Sequence, residues 1–139
     1  AVEACHKLGI TGPKVDVVAA VEIVRAKMDA IVHVVMVIGM NIKKQLQGCI
    51  VDGPFAIDIA VDKEAAAHKG IVSEVAGDSD IILVPDIEAG NIFYKALNFL
   101  GGAVCAAVIT GAAVPIVLTS RSDSETSKML SIALAAAIH

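Results

Sequence analysis

The sequence predicts an α/β fold with a largely parallel sheet flanked by helices. Short apolar runs alternate with amphipathic segments along the chain, as strands alternate with helices in such folds. The apolar runs lie between charged and glycine-rich segments, which suits strands that are buried on both faces. The chain has 139 residues, and this length is sufficient for a domain with its own hydrophobic core.

Five elements are expected in the first half of the chain. Gly9 ends the first helix, and Lys69 with Gly70 places a cation and a glycine at the end of another. The expected elements are a helix over Ala1–Leu8, a strand over Lys14–Ala20, a mostly helical stretch over Val21–Asn41, a strand over Gly48–Asp52 that stops at Gly53-Pro54, and a helix over Ala56–His68.

Five more elements are expected in the second half. Pro85 stops a strand because it cannot continue the ladder, and Gly101-Gly102 ends a helix. Ser122 and Glu125 have the spacing of a capping box, which predicts a helix start. The expected elements are a strand over Ile81–Val84, a helix over Asn91–Leu100, strands over Val104–Ile109 and Ile116–Thr119, and a helix over Ser124–Ile138.

The composition is unusually apolar, with 56% hydrophobic residues and a mean hydropathy of +0.75. A membrane protein is nevertheless not expected, because a spanning helix needs roughly 20 predominantly apolar residues. The longest apolar runs, Ala30–Met40 and Gly102–Leu118, are shorter or are interrupted by glycine and proline. The surplus of apolar residues instead predicts a homo-oligomer, or a chain that forms part of a larger protein.

Charge and cysteine content exclude several classes of function. The formal net charge is −4 and there is no basic run, which argues against nucleic-acid binding. Cys5, Cys49 and Cys105 are odd in number and far apart, as is typical of reduced thiols in a cytoplasmic protein. No zinc-site spacing, GxGxxG fingerprint or Walker loop is present, so no metal or resident cofactor is expected.

The most informative segment is the strand–helix junction at Thr119–Ser124. Free N–H groups at a helix start favour an anion, and the Arg121 guanidinium adds a planar donor fork suited to phosphate. The Ser120 hydroxyl could polarise a carbonyl group. The alternative is an ordinary helix cap beside a surface arginine, and this segment taken alone favours that alternative.

A second polar strand end is the run VPDIEAGN, which the helix IFYKALNFL follows. Gly90 allows a ligand or another backbone to approach closely. Asn91, Lys95 and Asn98 lie at helical spacing and share one face, which could line a cleft. The alternative is a solvated helix face.

The third polar strand end is Asp52-Gly53-Pro54, which leads to Asp58 and Asp62 one turn apart on the expected helix. Paired carboxylates can serve acid–base chemistry or hold a cation. The alternative is that acids in an early helical turn only complement the helix dipole.

Taken together, these runs resemble the phosphate acetyl/butyryltransferase family. The resemblance rests on GCIVDGPFAIDIAV, HKGIVSEVAGDSDIILVPDIEAGNIFYKALNFL, PIVLTSRSDS and SIALAAAI, with AVEACHKLGI and KVDVVAAVEIV at the start. The patterns GP-x-x-x-D and PD-x-x-AGN-x-x-YK are common to both branches of the family. The motifs DIEAGN and TSRSDS favour the phosphate butyryltransferase branch.

The resemblance implies a fold and a domain organisation. The family is built from two α/β domains like those of isocitrate and isopropylmalate dehydrogenases, with the active site between them. This chain would be the C-terminal half, with residues 1–112 mainly one α/β domain. Residues 113–139 would be a strand and helix that return to an N-terminal domain absent from the chain.

The resemblance also implies a reaction, the transfer of an acyl group between coenzyme A and inorganic phosphate. Ser120 would bond the thioester carbonyl and Arg121 would hold phosphate. The candidate substrate-binding residues at the three strand ends are Ser122, Ser124, Asp86, Gly90, Asn91, Lys95, Gly53 and Asp58.

One position departs from the family pattern. The acetyl branch carries an Asp six residues after the arginine, as a base for the coenzyme A thiol, and Ser127 occupies that position here. Two alternatives stay open beside a butyryl-type enzyme. One is a phosphate acetyltransferase, and the other is a non-catalytic acyl-CoA-sensing or oligomerisation domain of the same fold.

Overall fold

The computed structural model describes residues 1–21 and 29–139, and its centre is a small parallel sheet. The strands are β1 (Lys14–Val18), β2 (Ile50–Phe55) and β3 (Ile81–Leu83). Their order is β2-β1-β3, and β1 pairs in parallel with both neighbours. The sheet and the helices around it confirm the prediction of an α/β fold.

Six helices surround or follow the sheet in the described residues. They are α1 (Val2–Lys7), α2 (Asp29–Ile42), α3 (Ile57–Val61), α4 (Lys63–His68), α5 (Ile87–Lys95) and α6 (Glu125–Ala137). A π-helical turn over Ala96–Leu100 continues α5. The helical stretch predicted over Val21–Asn41 is confirmed from Asp29 onward, whereas residues 22–28 lie outside the described part.

The core has one cluster on each face of the sheet. On one face, Val15 and Val17 of β1 and Val51 of β2 pack with Val34 of α2. The alternation of side chains along a strand places Asp16 and Asp52 on the opposite face. There the second cluster joins the end of β2 to α3, α4 and the following loop, through Phe55, Ile59, Ala66, Val75 and Ala76.

Two predictions about the middle of the chain were wrong. β2 does not stop at Gly53-Pro54 but passes through a cis peptide bond there, and the Ala19 N–H donates to the Phe55 carbonyl at 3.0 Å. The helix expected over Ala56–His68 is broken at Asp62, whose backbone is extended. The Asp62 carboxylate accepts bonds from the N–H groups of Glu64 and Ala65, so it starts a new helix.

Three boundaries in the second half also differ. α5 begins at Ile87, before the expected Asn91, because the Asp86 carboxylate caps it by accepting from the Ala89 N–H at 2.7 Å. The strands expected over 104–109 and 116–119 reduce to one antiparallel bridge between Ile109 and Ile116. A strand persists only where a neighbour satisfies its backbone groups, and no described strand lies beside these segments.

Many large apolar side chains are exposed in the described part of the chain. They lie mainly on α2, on α5 with its π-helical turn, in residues 104–118 and on α6. Exposed apolar side chains that lie close together are typical of a surface that another domain or subunit covers. Among the described residues, no helix combines the length and the apolar character needed to traverse a bilayer.

Candidate functional site

The junction, residues 119–124, is a tight turn organised by Asp123. The backbone N–H of Ser120 donates to Asp123 Oδ2 at 2.6 Å, and the Asp123 N–H donates to the Ser120 carbonyl at 3.1 Å. The hydroxyl oxygens of Ser120 and Ser122 lie 3.0 Å apart. Asp123 therefore fixes the backbone of Ser120, while the Ser120 hydroxyl contacts the hydroxyl and the N–H of Ser122.

Ser124 caps the helix that follows the junction. Its Oγ accepts a hydrogen bond from the Ser127 N–H at 3.1 Å, and its hydroxyl donates to Ser127 Oγ at 3.1 Å. The capping box predicted for Ser122 and Glu125 is therefore wrong, and the helix starts two residues later. One of the N–H groups at the helix start is already satisfied by Ser124.

Ser127 is a buried structural residue. It is 4% exposed, and its carbonyl accepts a bond of 2.7 Å from the hydroxyl of the equally buried Ser131. Ser131 Oγ also accepts from the Ala107 N–H at 3.0 Å, which ties residues 101–108 to α6. The position at which the acetyl branch carries an acid therefore holds a hydroxyl that packs inside this chain.

Helix α5 faces the junction across a cleft of about 610 Å³. The helix contributes Asn91, Tyr94 and Lys95, and the junction contributes Ser120 and Arg121. Ala107, Leu118, Thr119 and Asp123 complete the described lining. The fold thus brings together four residues that the sequence placed in two separate candidate sites, which are Ser120, Arg121, Asn91 and Lys95.

The charge balance of this cleft suits an anion. Lys95 Nζ lies 5.2 Å from the centre of the Tyr94 ring and 5.5 Å from that of Phe99. Within the described residues, neither Lys95 nor Arg121 forms an ion pair with a carboxylate. Asp123 is the acid in the lining, and both of its oxygens already accept hydrogen bonds. Two cations therefore face the cleft without a carboxylate partner in this part of the chain.

Four further predicted residues lie outside the described lining of the cleft. Ser122 and Ser124 belong to the junction, and Asp86 caps α5. Gly90 lies where α5 passes close to β3, since a β-carbon there would come within 3.1 Å of the Val84 side chain. The close approach that Gly90 allows is therefore to another part of this chain.

Gly53 lies within β2 and Asp58 lies in α3, and both are outside the described lining of the cleft. At Gly53, φ is 135°, and a β-carbon would come within 2.9 Å of the Val17 carbonyl oxygen. Asp58 forms an ion pair with Lys69 at 3.3 Å. Asp58 lies in α3, whereas Asp62 lies at the break between α3 and α4, so the expected carboxylate pair on one helical face is wrong. The part of the chain with described side chains contains no group of three or more His, Cys, Asp or Glu residues placed to hold a metal.

Asp16 is an unusual residue that the sequence interpretation missed. It is 0% exposed in the middle of β1, and within the described part of the chain neither carboxylate oxygen has a hydrogen-bond partner. Burial, together with the nearby charge of Asp52, raises its pKa to about 7. The signal in the sequence was a lone acid within the apolar run KVDVVAA.

Tyr94 was also missed as a candidate. It is the only tyrosine in the chain and lies between the candidate residues Asn91 and Lys95. Its hydroxyl donates to Asp123 Oδ1 at 3.1 Å, across the cleft from α5 to the junction. No spacing rule pairs two residues that lie 29 positions apart.

Residues 1–136 match the family model described as "Phosphate acetyl/butaryl transferase". The chain belongs to this family. It is 53% identical over 135 residues to the phosphate acetyltransferase of Thermotoga maritima, a match that covers 97% of this chain and 46% of the relative. It is 46% identical over 137 residues to the phosphate butyryltransferase of Clostridium acetobutylicum, covering 99% of this chain and 46% of that one.

A solved structure supports the same relationship. The branched-chain phosphotransacylase from Enterococcus faecalis V583 superposes with a TM-score of 0.89 at 38% sequence identity. The match covers 99% of this chain and 50% of the other. This chain therefore spans about half the length of the relatives that it matches.

Proposed function

We propose that the protein containing this chain transfers a short acyl group, butyryl or similar, between coenzyme A and inorganic phosphate. A phosphate oxygen would attack the thioester carbonyl, and the coenzyme A thiolate would leave to give an acyl phosphate. The observation that carries the proposal is the cleft in which Ser120 and Arg121 face Asn91 and Lys95. Family membership makes this chemistry the first one to test.

The catalytic residues in this proposal are Ser120 and Arg121. The Ser120 hydroxyl would donate to the carbonyl oxygen, which becomes negative as phosphate adds. Arg121 would hold the phosphate through its planar donor fork, and Lys95 would supply a second positive charge. Direct attack by phosphate needs positioning and charge neutralisation and no nucleophile from the protein. The proposal therefore includes no cofactor and no metal.

The other predicted residues have more distant roles in this proposal. Asn91, Ser122 and Ser124 lie in or next to the cleft and would bond polar groups of the substrates. Coenzyme A is long enough to extend beyond the cleft. We therefore keep the four other predicted residues as candidate contacts for it, namely Asp86, Gly90, Gly53 and Asp58.

The proposal also concerns which acyl chain is transferred and which group acts as the base. Acetyl transfer is the second candidate, because a named phosphate acetyltransferase and a named phosphate butyryltransferase are both close relatives. The base that accepts or supplies the thiol proton would come from outside the Ser127 position, since Ser127 is buried in a hydroxyl network. A non-catalytic domain that senses acyl-CoA is the remaining alternative from another class.

We also propose the architecture of the complete protein. It would resemble isocitrate and isopropylmalate dehydrogenases, with this chain as the C-terminal half. Residues 1–112 would form mainly one α/β domain, and residues 113–139 would return to an N-terminal domain that completes the cleft. A cytoplasmic homo-oligomer would cover the exposed apolar side chains on α2 and α6.

The test is acyl phosphate formation by the complete protein from butyryl-CoA, or acetyl-CoA, and phosphate. We expect turnover, and we expect Arg121→Ala to raise the Michaelis constant for phosphate at least about tenfold, as loss of a charge-assisted contact should. Lys63→Ala removes a surface cation that pairs with Asp78 and should leave that constant unchanged. Absence of turnover with either thioester would contradict the proposal, and an unchanged phosphate constant in Arg121→Ala would contradict the role of Arg121.

A further inference from the structure

Tyr94 and Asp123 form a contact that joins the two walls of the cleft. Tyr94 belongs to α5 and is half-buried, and its hydroxyl donates to Asp123 Oδ1 at 3.1 Å. Asp123 belongs to the junction on the other wall. We call this contact the Tyr94–Asp123 link. Among the described residues, this is the side-chain hydrogen bond that connects the two walls of the cleft.

Asp123 is also hydrogen-bonded to the backbone of Ser120. Asp123 Oδ2 accepts from the Ser120 N–H at 2.6 Å, which is short for a bond of this kind. The Asp123 N–H returns a bond to the Ser120 carbonyl at 3.1 Å. Asp123 is therefore bound on one side to the residue that carries the candidate hydroxyl and on the other side to α5.

We propose that Tyr94 and Asp123 are positioning residues, which hold Ser120 and Arg121 at a fixed place opposite Asn91 and Lys95. This inference rests on the proposed acyl transfer and adds two residues to it. Neither residue needs to touch the reacting atoms. Loss of the Tyr94–Asp123 link would let the junction move relative to α5, and the Ser120 hydroxyl would then meet the carbonyl oxygen less often.

The hydrogen bonds of the two groups are consistent with a positioning role. Both oxygens of Asp123 accept hydrogen bonds from groups of the protein, and these bonds hold the carboxylate between α5 and Ser120. Burial and the hydrogen bond to Asp123 raise the pKa of the Tyr94 hydroxyl above its usual value. Tyr94 therefore keeps its proton at neutral pH and remains a donor to the carboxylate.

The kinetic test uses the complete protein with Tyr94→Phe, which removes only the hydroxyl. We expect kcat to fall about tenfold, because a hydrogen bond to a charged group contributes about that factor. The Michaelis constant for acyl-CoA should change by less than about twofold, since the link acts on a step after binding. Ser79→Ala is the control, because its hydroxyl bonds the Val75 carbonyl in a loop that does not line the cleft.

A double-mutant cycle tests whether the two residues act together. In an Asp123→Ala background, Tyr94→Phe should have no further effect on kcat, because its acceptor is already gone. Asp123→Asn keeps one carbonyl oxygen and should retain more activity than Asp123→Ala. Glu125→Gln, which alters a carboxylate at the exposed start of α6, is the matched control for charge. Independent effects of the two substitutions, or a kcat for Tyr94→Phe equal to that of Ser79→Ala, would overturn the inference.

A second measurement does not depend on turnover. The ultraviolet titration of Tyr94 is obtained as the difference between the parent protein and Tyr94→Phe. We expect a pKa above the ordinary value of 10.0, and a fall towards that value in Asp123→Asn. An ordinary pKa that Asp123→Asn does not change would overturn the inference. A parent protein without turnover would contradict the proposed function alone, and this titration would still decide whether the link exists.

Discussion

Two aspartates in this molecule show how differently a carboxylate behaves in two environments. Asp16 lies inside the sheet, fully buried, and no donor among residues 1–21 and 29–139 bonds either of its oxygens. Asp123 lies at the junction, half-buried, with the Ser120 N–H on one oxygen and the Tyr94 hydroxyl on the other. Burial without donors makes an ionised acid costly, whereas donors allow an acid to organise the groups around it.

Because of these environments, Asp16 affects the stability of the fold, whereas Asp123 affects the candidate site. Asp16 is expected to weaken the fold at neutral pH, and no described contact connects it to the cleft. Asp123 is expected to stabilise a local turn and to fix the position of Ser120. The neighbouring residues in the sequence do not by themselves show which of the two acids weakens the fold and which one stabilises it.

The largest expected effect is that of Asp16→Asn on stability. The pKa of Asp16 is raised from 3.8 to about 7 in the folded protein. Between these values the unfolded chain has released the proton that the folded protein still holds, so stability falls as pH rises from about 4 to 7. The cost is complete above pH 7 and amounts to about 4 kcal/mol. Asp16→Asn cannot ionise and should be more stable than the parent by up to about that amount at pH 8.

Urea unfolding of the two proteins at pH 4 and pH 8 checks this prediction. The difference in the free energy of unfolding should be small at pH 4 and large at pH 8. Glu88→Gln is a suitable control, because it removes an exposed acid and should change stability by less than about 0.5 kcal/mol. A difference between Asp16→Asn and the parent that is the same at both pH values would show that Asp16 is solvated or paired in solution.

Asp123→Ala is expected to lower the stability of the protein, and by less than Asp16→Asn raises it. This substitution leaves the Ser120 N–H and the Tyr94 hydroxyl without their acceptor. Because both groups are half-buried, we expect a loss of about 1–2 kcal/mol in the free energy of unfolding. Glu125→Ala removes an acid that is 93% exposed and pairs with Lys128, so its loss should be within about 0.5 kcal/mol. Equal losses for the two variants would remove the contrast between Asp123 and an ordinary surface acid.

Much of the fold could be predicted from local patterns. β1 and β3 follow from short apolar runs bounded by charged residues and proline, and the junction follows from a strand-like run followed by a helix. The break at Asp62 was missed because both flanking segments favour a helix, and the cap formed by this side chain decides between one helix and two. The strands expected over 104–109 and 116–119 failed because strand formation depends on a neighbouring strand and not on the run itself.

The candidate site shows the same limit. Ser120, Arg121, Asn91 and Lys95 were identified from their chemistry and position, and the fold placed them around one cleft. The partner of Tyr94 could not be found in the same way, because the contact with Asp123 depends on how α5 packs against the junction. The burial of Asp16 depends on the strand order, which places β1 between β2 and β3.

The most direct test of the proposed function is the rate of acyl phosphate formation by Ser120→Ala in the complete protein. If Ser120 donates to the carbonyl oxygen as charge develops there, kcat should fall about 100-fold or more, as for loss of a donor to an oxyanion. The Michaelis constant for phosphate should stay within about threefold of the parent value, since Arg121 is retained. A kcat within about twofold of the parent value would show that the hydroxyl at this junction takes no part in the reaction.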